Sequence, residues 1–126
     1  MIFKLLLAKL VDCFSIHNAT SHFWYQRVTA LALIPLSVWL ILFLNTALSA
    51  PYAETVSWLS SPLNAAALIA WIVAVIFHAA LGVQVVIEDY VSTISTRHLA
   101  IRATNLIFLL LGVAALVAIF LILFAR

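Results

Sequence analysis

The sequence predicts an all-α integral membrane protein of three transmembrane helices, and three observations carry that prediction. Of 126 residues, 67% are hydrophobic and only 8% charged, whereas ordinary globular domains carry roughly 25% charged residues. The mean hydropathy is +1.27, so lipid rather than water is the solvent for most side chains. Stretches free of Asp, Glu, Lys and Arg cover 28–53, 55–87 and 103–125, that is 26, 33 and 23 residues. Each reaches the ~20 residues that a helix needs to cross a bilayer. The formal net charge of +2 comes from 6 basic and 4 acidic residues, too few and too scattered for a nucleic-acid surface. The single cysteine, Cys13, excludes an internal disulfide framework and any CxxC site.

Residues 1–13 set Lys4 and Lys9 among Ile2, Phe3, Leu5, Leu6, Leu7, Leu10 and Val11. No A-x-A cleavage site follows and Asp12 precedes Cys13, so the segment is expected to stay in the mature chain. An interfacial helix and a disordered start are both open for it. The first membrane helix is expected over 25–49, closed by Ser49, Ala50 and Pro51 and mildly kinked at Pro35, since neighbouring helices can make good the lost backbone bond. Ser60, Ser61, Pro62 and Asn64 read as turn formers that open the second, over 63–90. The third is expected over 99–125. No internal repeat or linker divides the chain, so 1–126 is read as a single membrane-anchor domain, a subunit rather than a complete machine.

Lys4, Lys9 and Arg27 precede the first span, Arg97 and Arg102 lie between the second and third, and the 51–62 connection holds Glu54 without Lys or Arg. The positive-inside rule puts the N-terminus inside and, after three crossings, the C-terminus with Arg126 outside.

His78 is the residue that most needs explaining. It lies 9 residues before Ile87, roughly 14 Å from the inner end of its helix, where imidazole must find a hydrogen bond, a proton relay or a metal. Haem iron is the sharpest of these options, because neutral imidazole is a common axial ligand. Ala66, Ala70, Ala74, His78 and Gly82 recur every fourth residue. For the alanines this stripe reads as close helix packing, while Gly82 would leave clearance for a flat macrocycle beside the ligand.

Asp89 follows His78 by 11 residues, about 20° off the same helical face, and Tyr90 follows at the inner interface. Both fit a solvated helix end and an aromatic belt. Both also fit a quinone site, where a phenol donates to a carbonyl oxygen. An acidic residue at a helix C-terminus calls for a cation nearby, so an arginine partner is expected for Asp89. At the start of the first span Phe23, Trp24 and Tyr25 suit an interfacial girdle with Arg27 snorkelling to headgroups. Equally, His22 and Arg27 suit an anionic cofactor group such as a haem propionate. Cys13, His17 and His98 support only surface positions.

Two stretches, residues 22–30 (HFWYQRVTA) and 78–90 (HAALGVQVVIEDY), together resemble the small membrane-anchor cytochrome b subunit of succinate dehydrogenase (complex II). The likeness covers about residues 21–125, and the second stretch is the specific one. It implies a partnership with a larger cytochrome b anchor, an iron–sulfur subunit and a flavoprotein subunit. Electrons from succinate would pass through FAD and iron–sulfur clusters on those partners to ubiquinone, with haem b shared between the anchors and no succinate chemistry on this chain. Carried over, the resemblance makes His78 an axial haem ligand, places Tyr90 and Asp89 at the quinone site, and sets Arg27, His22 and Gly82 in the haem propionate region. It also implies a bacterial inner membrane, or the mitochondrial inner membrane for an organelle-encoded chain. Two alternatives stay open: the anchor of a fumarate reductase, and a small transporter or assembly adaptor with His78 and Asp89 as a proton relay.

Overall fold

The computed structural model describes residues 1–13 and 18–124; His17 and Arg126 lie outside the described residues, as does the side chain of Cys13. The described chain is helical throughout: α1 (Ile2–Cys13), α2 (Ala19–Ala47), α3 (Tyr52–Leu59), α4 (Pro62–Tyr90) and α5 (Ile94–Phe124). Helices α2, α4 and α5 are long and apolar enough to cross a membrane, which makes this a multi-pass membrane protein of the predicted class.

Boundaries depart from expectation in four places. Helix α2 begins at Ala19 rather than at 25, because the Asn18 side chain accepts from the Thr20 backbone N–H at 3.1 Å. That cap satisfies an orphan donor and adds more than a turn carrying His22 and Phe23. The helix runs unbroken through Pro35 and ends at Ala47, two residues early. The 51–62 connection, expected as a turn, contains the two-turn helix α3, with Pro51 as N-cap and Glu54 in its first turn. A fixed φ suits the entry and a carboxylate suits the positive helix end. Its Trp58 ring stacks on Phe43 at 4.8 Å and on Trp39 at 5.9 Å, fastening α3 to the end of α2. Helix α5 begins at Ile94, five residues before the expected start, so Arg97 and His98 are helical. Only Val91, Ser92 and Thr93 separate α4 from α5.

Ile2–Cys13 form a helix, so the start of the chain is ordered. Helix α1 packs on α5 with Val11 buried.

Helix α4 is the centre of the molecule: α2 packs on one side of it and α5 on another, while α2 and α5 do not meet among the described residues. The α2–α4 pairs identify the packing sense. Gln26 meets Gly82, Thr29 meets His78 and Ser37 meets Trp71, so residue numbers rise on one helix as they fall on the other and the helices are antiparallel. Ala80, Leu81 and Gln84 of α4 and Ile101, Asn105 and Ile119 of α5 are buried, whereas α2 buries none of its residues. The alanine stripe faces outward from the α4–α5 seam. Ala66, Ala70 and Ala74 line an open recess with Thr29 and Phe77 instead of a helix seam within the chain.

Candidate functional site at the α2–α4 seam

The site grows from helical periodicity. His22, Gln26, Thr29 and Ala30 fall at steps of four, three and one, one face of α2. His78, Val85 and Glu88 fall at steps of seven and three, the facing side of α4. Between these faces lies a cavity of about 540 Å³, lined chiefly by His22, Gln26, Arg27 and Ala30 of α2 and by His78 and Glu88 of α4. That size is in the range of cofactor and ligand sites.

His78 is half-buried, and its Nδ1 lies 2.9 Å from Thr29 Oγ1. Thr29 Oγ1 also reaches two carbonyls of its own helix, donating to Tyr25 O at 2.7 Å and to Gln26 O at 3.1 Å. Nε2 is therefore the nitrogen of His78 left for the cavity. Across the seam, His22 Nε2 and Gln26 Oε1 are buried with no hydrogen-bond partner. Buried polar atoms are normally satisfied, and in lipid an unsatisfied one costs several kcal/mol. Two such atoms on one wall of one cavity mark a place where a polar group is to be received. Arg27 lies at the cavity with its guanidinium carbon 4.3 Å from the Phe23 ring centroid, a cation–π contact that holds the charge at the mouth.

Gly82 stands opposite Gln26. A Cβ there would lie 3.5 Å from Gln26 Nε2, an ordinary contact. The present approach of the Gln26 amide therefore leaves room for a methyl group, and Gly82 does not itself line the cavity.

The far end of α4 is built differently. Asp89 is exposed and Tyr90 is 84% exposed, so the described residues do not bring them together with the His78 cavity. Gln84 Nε2 donates to Glu88 Oε1 at 2.8 Å, pinning one wall of the seam. Among the described residues no arginine pairs with Asp89 as expected; the Arg97 Nε donates instead to the Val91 carbonyl at 2.8 Å. It places a cation at the negative end of α4 by meeting the backbone rather than the carboxylate. Arg97, His98 and Arg102 border a second recess of about 390 Å³ with Asp12, Gln84 and Glu88. His98 is thus a recess residue as well as an exposed one.

Thr29 and Gln26 have no role in the sequence reading, although both stand in the 22–30 motif. Their signal is the spacing of polar residues at 22, 26 and 29, which falls on one face of α2.

Comparison with known proteins decides the family. A model for the succinate dehydrogenase/fumarate reductase transmembrane subunit matches residues 11–124. The chain belongs to that family. It is similar to the succinate dehydrogenase hydrophobic membrane anchor subunits of Rickettsia bellii, with 33% identity over 118 residues, and of Rickettsia conorii, with 36% over 119, covering 94% of each chain in both cases. The Rickettsia felis anchor subunit is 38% identical over 104 residues, 82% of this chain and 87% of the relative. No solved structure matches. Membership in this family of transmembrane subunits agrees with the three apolar helices.

Proposed function

We propose that this chain is the small membrane anchor of a succinate:quinone oxidoreductase and binds haem b jointly with a larger anchor subunit. The carrying observation is the α2–α4 cavity, where His78 offers Nε2 while His22 Nε2 and Gln26 Oε1 stand buried and unpartnered. These residues fit the group. A neutral imidazole ligates iron, and an imidazole N–H with a guanidinium suits carboxylate side chains of the macrocycle. His78 would hold the iron, His22 and Arg27 would meet the propionates, and Gly82 would let α2 and α4 close beside the ring.

Haem b supplies a one-electron store within the membrane when bound. The work of this chain is to bind and orient it, and to keep lipid and water from its iron. Tyr90 and Asp89 would contribute to the ubiquinone site, with the phenol donating to a quinone carbonyl oxygen and the carboxylate supporting proton delivery. Their exposure is what a site shared with another subunit needs on this side of it. Flavin and iron–sulfur clusters would belong to the flavoprotein and iron–sulfur partners, and succinate is oxidised there. The single domain sits in the bacterial inner membrane with its N-terminus inside, by the charge asymmetry of its connections.

The test is a reduced-minus-oxidised spectrum of the complex purified through this chain, together with the identity of the copurifying subunits. A low-spin b-type spectrum that becomes high-spin or vanishes in His78→Ala supports the reading. Succinate-to-dye electron transfer should persist in that variant. An unchanged low-spin spectrum in His78→Ala, or a colourless homo-oligomer, overturns it.

A further inference from the structure

We infer that Thr29 is a positioning residue for His78, fixing the imidazole in the one tautomer that can bind iron and setting the basicity of the ligand; the inference rests on the haem reading above. Thr29 Oγ1 lies 2.7 Å from the Tyr25 carbonyl, 3.1 Å from the Gln26 carbonyl and 2.9 Å from His78 Nδ1. A hydroxyl has one proton and two lone pairs. Both carbonyls are pure acceptors, so the proton goes to them and the contact with Nδ1 is one in which the hydroxyl oxygen accepts. Nδ1 therefore carries the ring proton, and Nε2 keeps the lone pair on the side of the cavity. The opposite arrangement spends the hydroxyl proton on Nδ1, leaves both carbonyl contacts without a donor and puts a proton on Nε2, where it blocks coordination.

The residue type suits this role. Bonding back to the carbonyls of the preceding turn holds the Thr29 side chain in one rotamer. Those carbonyls belong to Tyr25 and Gln26, and Gln26 is itself part of the cavity wall. The imidazole is thus oriented from α2, the same helix that carries His22 and Arg27. A metal-ligating histidine that donates its other N–H is a stronger base toward the metal and is fixed in ring orientation. Here that bond also spans two helices, so it couples the ligand plane to the packing of α2 on α4.

The experiment uses the assembled complex with Thr29→Val, which keeps the shape and deletes the hydroxyl, and Thr29→Ser, which keeps the hydroxyl. Haem content, the rate of haem loss to a scavenger protein, the midpoint potential and the low-spin electron paramagnetic resonance signal are read in each. Loss of such an outer partner typically weakens metal binding by about 10–100-fold. Thr29→Val should therefore lose haem about tenfold faster or more, titrate at a more positive potential because the ligand is less basic, and show a displaced low-spin signal. Thr29→Ser should match the parent in all three. A Thr29→Val complex indistinguishable from the parent, or a Thr29→Ser complex as damaged as Thr29→Val, overturns the inference. Should valine block assembly, Thr29→Ala supplies the hydroxyl-free seam without a bulky side chain and is judged by the same outcomes. His78→Ala in parallel separates the two levels. An unchanged spectrum there removes the haem reading and this inference together, whereas loss of low-spin haem there with a parent-like Thr29→Val removes the role of Thr29 alone.

Discussion

Along α4, the side turned to α5 and the side turned to α2 are built from different materials. Toward α5, a Cβ at Gly112 would lie 3.5 Å from the Ile76 side chain, so the two helices approach closely there, and Ile101 and Ile119 of α5 are buried. Toward α2, hydrogen bonds at Thr29–His78 and Ser37–Trp71 flank a cavity with buried, unpartnered nitrogen and oxygen. Lipid supplies no hydrophobic force to press helices together, so association depends on shape and on polar bonds. The α5 seam uses mostly the first, and the recess of about 160 Å³ left in it is lined almost wholly by apolar side chains such as Ile76, Phe77 and Phe108. The α2 seam uses the second and leaves part of it unspent, as expected of a wall that another molecule must finish.

The largest test of that contrast is to express the chain without partner subunits. The unpartnered atoms of His22 and Gln26 then stay unsatisfied in lipid, at several kcal/mol each, and the chain should be degraded or aggregated. A monodisperse folded monomer in mild detergent would show that the α2 seam needs no completion. Next in size, Ile119→Ala empties a buried site of α5, the helix that does not touch α2 among the described residues, and should cost about 2–5 kcal/mol. That loss should read as a lower melting temperature of the assembled complex with an unaltered haem spectrum. A haem spectrum that changes with it would mean that the two seams are not separable.

Tyr90→Phe probes a place beyond both seams. It keeps the ring and deletes a hydroxyl whose hydrogen bond is worth roughly 0.5–1.5 kcal/mol, so quinone reduction at limiting quinone should fall by up to about tenfold. Haem content should stay constant. Equal rates in parent and variant, at matched enzyme content, would leave Tyr90 as a belt residue. The smallest expected effect is that of Gly82→Ala, because the added carbon meets Gln26 Nε2 at an ordinary 3.5 Å and haem should remain. Gly82→Leu should instead drive the amide into the cavity and displace it, and full haem retention in that variant would remove Gly82 from the site.

How much of this was legible beforehand follows from which forces act over short stretches. The three spans were plain, since lipid demands long uncharged runs and 28–53, 55–87 and 103–125 supply them. Helix α3 was not, because Pro51, Ser60, Ser61 and Pro62 look like turn formers, and what holds the short helix is the distant stack of Trp58 on Phe43 and Trp39. The early start of α5 was hidden by Arg97 and His98, which read as loop until Arg97 is seen to meet the Val91 carbonyl. In the site, His78 announced itself by its cost in lipid. Thr29 did not, because a lone threonine is unremarkable in an apolar helix until its partner 49 residues away is known. The alanine stripe was legible only in part: periodicity identifies a face but not what covers it.

The aromatic stack of Trp39, Phe43 and Trp58 works as a buckle at one end of α2. Two of its rings come from α2 and one from α3, and the Trp58 carbonyl accepts from Asn64 Nδ2 of α4 at 2.9 Å, so three helices are tied at one point. At the other end, where His22 and Arg27 begin α2, the pair is joined by the Thr29–His78 bond and by the edge contact of Tyr25 with Phe77 at 5.9 Å. Helices buckled at one end part most readily at the other, which puts any give in the α2–α4 pair beside the cavity and away from the buckle.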